Sequence, residues 1–260
     1  MPKSYDSHSP PGKSVFSDAA SANDTEQVNS PRANQLLARL AKSELDKFIT
    51  KLSPVPIEIG DVLYEPEERI EYVYFPTTGV ISLLAAFEDG GSVEAGLMGA
   101  EGMLGTSVIL GAETTPHLAL VQANGHAFKM SVRDLKSFVQ NDGGQLREVL
   151  LRYTSALFTQ VAQTAGCNRA HTLEQRLARW LLLTHDRVPG DEFELTQDFL
   201  SRMLGVRRAG VSVAANTLRE MGAINYQRGN VKVLDRKGLE QASCECYQVV
   251  KEEYERLLKV

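Results

Sequence analysis

The stretch Leu204–Ile224, LGVRRAGVSVAANTLREMGAI, decides how the chain is read. A Gly205–Val206 turn precedes two adjacent arginines, Arg207 and Arg208, and a segment without proline. At about 100° per residue, Val211, Ala214, Leu218 and Met221 share one helical face, which reads as inward. Arg208, Ala209, Ser212, Val213, Asn216 and Arg219 fall opposite. Upstream, Thr196 can cap a short helix, TQDFLSRML, with Phe199, Leu200, Met203 and Leu204 inward. Two short helices joined through a glycine turn make a helix-turn-helix. Downstream, AINYQRGNVKVLD alternates around Arg228-Gly229-Asn230, the pattern of a β-hairpin wing.

The outer face of the second helix has a definite chemistry. Alanine, serine and valine keep it slim enough to enter the major groove of DNA. Arginine donates two hydrogen bonds to guanine O6 and N7, and asparagine pairs with adenine N6 and N7. Arg208, Ser212, Asn216 and Arg219 are therefore the candidate base-edge readers. Thr196, Arg207, Arg228 and Lys232 are the candidates for phosphate contact or helix capping, which position without reading sequence.

The charge pattern agrees. The chain of 260 residues carries a formal charge of −5, yet residues 201–237 hold eight basic side chains against two acids, Glu220 and Asp235. A local basic excess in an acidic chain marks a patch for a polyanion rather than a basic protein. No apolar run approaches the ~18 residues of a membrane span, and the N-terminus lacks a signal-peptide core. The expected location is the cytoplasm, with no membrane partner.

Elsewhere the pattern predicts an α+β chain. Residues 1–31, rich in Ser, Pro and Asn, read as a disordered tail. The segment NQLLARLAKSELDKFITKLSPV reads as helical up to Pro54. Short apolar or alternating runs with dense glycine then predict an antiparallel β-sandwich or barrel, within a unit spanning 32–143. A long helix at 144–166 carries Leu146, Leu150, Tyr153, Leu157, Val161 and Thr164 at near-heptad spacing. Such a seam packs on its own domain or on a copy of the chain, and the helix length favours a dimer contact through Leu146, Leu150, Tyr153, Leu157 and Val161. Residues 167–238 form the winged unit, and 239–260 a C-terminal helix.

This order, with LTQDFLSRMLGVRRAGVSVAANTLREMGAI as its clearest motif, resembles the Crp/Fnr family of bacterial transcription regulators. The resemblance implies an RmlC-type, jelly-roll-like β-roll sensor, a long dimerisation helix and a C-terminal winged helix-turn-helix. It further implies a homodimer on a two-fold symmetric operator of double-stranded DNA, with RNA polymerase as a further partner. The family's best-known reading pattern is Arg-Glu with a second Arg four residues later. Here Arg208 matches, but Ala209 and Val213 stand at the other two positions, so the expected operator differs.

The sensor departs as well. Gly99-Ala100-Glu101-Gly102 loosely resembles the Gly-Glu half of the family's cyclic-nucleotide site, making Gly99, Glu101 and Gly102 the candidate effector residues. No arginine lies between residues 70 and 132, where Lys129 faces six acids. A buried phosphate needs a charge partner, so a cyclic nucleotide is not expected and the effector is left open. Glu101 can equally cap its own turn.

Three cysteines, Cys167, Cys244 and Cys246, do not make a disulfide framework or, within one chain, a four-cysteine cluster. Placed on one helix, Cys244 and Cys246 point about 200° apart and cannot chelate together. His117, His126, His171 and His185 do not cluster in sequence. No metal site, cofactor, catalytic residue or enzymatic activity is expected. The alternative to a DNA-binding regulator is an effector-binding module whose winged part makes protein contacts.

Overall fold

The computed structural model describes residues 30–88, 90–141, 143–227 and 229–258. The expected tail lies almost wholly outside them, as does Arg228. A single 3-10 turn, Pro31–Ala33, leads into two short helices, α1 (Gln35–Ala38) and α2 (Lys42–Ile49), where the sequence pattern suggested one continuous helix. The break lies at residues 39–41, where Gln145 Nε2 donates to Arg39 O at 3.0 Å and Gln145 Oε1 accepts the Ala41 amide at 2.8 Å. Asn34 starts α1: its Oδ1 caps the α1 amides, while its Nδ2 donates to Pro76 O and Gly102 O, both at 2.8 Å, and anchors α1 to the β-domain. Pro54 falls inside a strand rather than at a helix end.

Seven strands follow: β1 (Ser53–Ile57), β2 (Val62–Tyr64), β3 (Tyr72–Pro76), β4 (Val80–Ala86), β5 (Ser92–Met98), β6 (His117–Ala123) and β7 (Gly125–Ser131). They form two antiparallel sheets, ordered β1-β7-β3 and β2-β6-β4-β5. Ile57, Ile70, Ile81, Met98, Leu104, Ala119 and Val121 belong to one apolar cluster between them. Successive strand residues alternate faces. Ile81 and Val121 therefore join this cluster while Val80, Leu84, Leu118 and Leu120 join a second one.

That second cluster belongs to the C-terminal half. After α3 (Val132–Asn141) and the long α4 (Gly144–Ala170), helix α5 (Leu173–His185) lays Leu177, Trp180, Leu181 and Thr184 against the outer face of β4-β5-β6. Burial on both faces explains why VISLLAA, unlike a half-solvated strand, is a nearly unbroken apolar run. Thr172 starts α5 with a reciprocal capping box involving Gln175.

The remainder comprises β8 (Glu192–Glu194), α6 (Gln197–Leu204), α7 (Arg208–Glu220), β9 (Ile224–Gln227), β10 (Asn230–Val233), α8 (Arg236–Ala242) and α9 (Cys246–Leu258). The wing has three strands, ordered β8-β10-β9, because the linker DEFE pairs with β10. Three residues are too few to show a period.

Two further expectations fail at helices. The C-terminal segment expected as one helix is two: at Ser243 the chain turns extended, and its amide closes α8 on Leu239 O and Glu240 O. Helix α9 then packs back along α4, with Tyr254 edge-on to Tyr153 at 6.2 Å between centroids. The break takes Cys244 out of the helix and brings it to Cys167, so Cys244 and Cys246 do converge after all. The second failure is the α4 seam. Leu146, Leu150, Tyr153 and Leu157 are buried in the chain's own core, and Val161 is half-buried. The four buried residues pack on the β-domain, α1 and α9, so they are not the dimer contact expected of them.

Candidate nucleic-acid interface

The helix-turn-helix is built by local rules. Thr196 Oγ1 accepts the Phe199 amide at 3.1 Å and caps α6. Gly205 closes α6 in the left-handed region, φ 62°, which a Cβ would disfavour. Val206 N reaches back to Ser201 O at 2.9 Å, satisfying a terminal carbonyl and setting the turn into α7. Arg207 sits at the N-cap of α7 without a side-chain capping bond, so its guanidinium is exposed and uncommitted to the cap.

Helix α7 buries Val211, Ala214, Ala215 and Leu218. Met221 was expected on this face, but it is the C-cap residue and 57% exposed, because the last turn runs past the core. The opposite face matches the sequence reading: Arg208, Ala209, Val213, Asn216 and Arg219 are exposed, and Ser212 is partly so. Gln197, which sequence patterns do not single out, organises the head of this face. Its Oε1 accepts from Arg208 Nε at 3.2 Å and from Ser212 Oγ at 2.9 Å. Arg208 also lies 3.6 Å from Asp198 across an exposed pair, an attraction worth at most about 1 kcal/mol and readily given up.

On the wing, Lys232 is exposed. Arg236 is part of the basic excess but not of the surface it suggests. It bonds Asp186, Glu240 and the Tyr247 hydroxyl behind the helix-turn-helix.

The candidate effector turn is filled by the protein itself. Glu101 accepts the Gly99 amide and pairs with Arg187 Nε at 2.7 Å, with the two side chains only 13% and 7% exposed. A Cβ at Gly102 would lie 2.3 Å from the Tyr153 hydroxyl, so that ring occupies the space beside the turn. The structure thus joins Gly99, Glu101 and Gly102 to Arg187, just beyond α5, and to Tyr153 of α4, rather than to an open pocket.

A buried polar chain crosses the same junction. Ser82 Oγ lies 2.7 Å from Glu94 Oε2 and 2.6 Å from Gln122 Oε1. Gln122 Nε2 donates to Thr184 Oγ1 at 3.0 Å, and Trp180 Nε1 donates to Glu94 Oε1 at 3.0 Å. A hydroxyl has one proton, so when Ser82 donates to Gln122 the Glu94 carboxyl supplies its own. Burial raises the Glu94 pKa, against the lowering effects of Ser82, Trp180, Arg179 and Arg187. The folded state therefore binds a proton that the unfolded chain releases, and this contribution to stability is lost as pH rises through the raised value. Glu94→Gln is expected to flatten the pH dependence of urea unfolding relative to the parent. Parallel curves for both proteins would show that Glu94 titrates alike in the folded and unfolded chain.

Residues 175–242 match the model of the Crp-like helix-turn-helix domain. The chain carries the Crp/Fnr fold. FixK2 of Bradyrhizobium japonicum superposes with a TM-score of 0.63 at 18% identity, over 74% of this chain and 98% of that one. The c-di-GMP responsive global regulator CLP of Xanthomonas campestris gives 0.61 at 15%, over 74% and 99%. A Crp/Fnr-family transcriptional regulator of Thermus thermophilus gives 0.58 at 21%, over 74% and 98%. Comparison with curated proteins returned no match. A Crp-like helix-turn-helix on a Crp/Fnr fold supports a DNA-binding transcription regulator. Among the described residues, no helix is long and apolar enough to cross a membrane.

Proposed function

We propose that this Crp/Fnr-type chain binds a two-fold symmetric operator as a homodimer and acts on transcription there. The observation that carries the reading is the exposed outer face of α7, with Arg208 and Ser212 held at its head by Gln197 and with Asn216 and Arg219 further along. The N-terminal turns of such a helix meet base edges, and the wing lysine meets phosphate. The operator is expected to share the guanine contact of Arg208 and to differ at the positions faced by Ala209 and Val213.

The dimer contact belongs on the exposed side of α4. There Leu151, Ser155, Phe158, Ala162 and Ala165 recur at heptad spacing, free of the chain's own core. Action on chromosomal DNA places the protein in the cytoplasm, with RNA polymerase as its neighbour at a promoter.

Arg208→Ala is expected to weaken operator binding by about 1–3 kcal/mol and to relax the preference at one base position. Lys232→Ala is expected to weaken operator and random DNA alike and to reduce the salt slope by about one. Titrations of both variants on both DNAs across a salt series check this. Equal losses for Arg208→Ala on operator and random sequence would remove α7 from the groove.

A further inference from the structure

Helix α4 ends in a last turn carrying Cys167, followed by His171 at the hinge into α5. The turn between α8 and α9 carries Cys244, and Cys246 opens α9. One ligand atom from each of these four residues lies within 4.8 Å of all the others. Cys167 Sγ is 3.5 Å from Cys244 Sγ, and Cys246 Sγ is 3.7 Å from His171 Nδ1. All three thiols are buried and free.

We propose that Cys167, His171, Cys244 and Cys246 bind one zinc ion in a closed, tetrahedral Cys3His site. A tetrahedron with Zn–S bonds of about 2.3 Å has edges of about 3.8 Å, close to the spacings seen. The separations suit a single ion. A cluster of several irons would hold its ligands further apart. Three thiolates and an imidazole are the donors that select zinc among the common divalent ions.

The surroundings fit a ligand role better than a packing role. A histidine ligand ordinarily gives its other ring nitrogen to a carboxylate or carbonyl, which fixes the ring. His171 turns Nδ1 to the thiols and Nε2 to Glu245 Oε1 at 3.2 Å. Three thiolates on a divalent ion leave one negative charge. Arg179 is buried, acts electrostatically on Cys167 and Cys246, and has two guanidinium nitrogens, Nε and Nη1, without a hydrogen-bond partner among the described residues. A negatively charged metal centre gives that cation its counter-charge. With all four positions supplied by protein and no place for water, the site is structural. It ties the α4–α5 hinge to the start of α9, the helix that packs back along α4.

The test uses the full chain purified under reducing conditions with zinc supplied. Elemental analysis is expected to find about one zinc per chain, falling to trace levels in His171→Ala and Cys244→Ser. Stripping the parent with a chelator should lower its Tm, and zinc alone should restore it. Cobalt(II) added to the stripped parent should give the visible bands of a tetrahedral thiolate site. The cobalt and Tm measurements use the parent chain, so a variant that fails to fold does not remove the test. Trace zinc in the parent with no cobalt thiolate spectrum would overturn the site. So would full zinc occupancy in folded His171→Ala and Cys244→Ser.

Discussion

Arg187→Ala is expected to lower the free energy of unfolding by about 3–5 kcal/mol, the cost of breaking a buried ion pair by removing one partner. Arg187 donates from Nε to Glu101 and from Nη1 to Leu183 O at 2.6 Å, and its stem lies where a Cβ on Gly99 would touch it. Truncation leaves the Glu101 carboxylate buried with only the Gly99 amide to answer it. It also opens the junction between the β-domain and the helix-turn-helix, where the apolar core of both halves is continuous. The Glu101→Ala, Arg187→Ala double variant should recover part of the loss, since it leaves no unpaired charge behind. Urea denaturation of the four proteins measures the coupling. A loss below about 1 kcal/mol for Arg187→Ala would place the pair in water rather than in the junction.

Phe158→Glu is expected to convert the proposed dimer to monomer while leaving the fold intact. Phe158 is 73% exposed and Leu151 41% exposed on one face of α4, so the fold spends nothing on either. Burying one phenylalanine contributes about 1.5–3 kcal/mol, and a two-fold interface buries two. Losing both, and setting two carboxylates together, weakens the dimer by at least about two orders of magnitude. Light scattering at micromolar protein should report half the parental mass, and operator affinity should fall with it. By contrast, Leu150→Ala and Leu157→Ala are expected to cost stability, because those residues are buried in the chain's own core. An unchanged mass for Phe158→Glu would move the interface off α4.

These two residues mark where sequence alone falls short. The near-heptad run from Leu146 to Thr164 is real, but α4 is apolar on two sides, and periodicity cannot say which side meets the β-domain. The inward side turned out to be the longer run, and the strictly heptad one, from Leu151 to Ala165, faces outward. Arg187 carries no pattern at all. It follows α5 in a polar turn, and only the fold brings it to Glu101, a contact 86 residues away. The helix-turn-helix was legible because its signals are local: Thr196 at a cap, Gly205 at a left-handed turn, and small residues at helical spacing on α7. The wing hairpin was legible for the same reason, while its third strand was too short to be seen. The break at Ser243 was hidden because helical residues continue on both sides of it, and with it the meeting of Cys167, His171, Cys244 and Cys246.

Sequence-specific binding by α7 in a two-fold dimer is tested most directly by selection from a random duplex DNA library. With purified protein at physiological salt, the expected result is a palindromic motif whose half-sites lie about one helical turn apart, with a guanine preference that disappears in Arg208→Ala. Enrichment of no motif, or of one unchanged by Arg208→Ala, would contradict it.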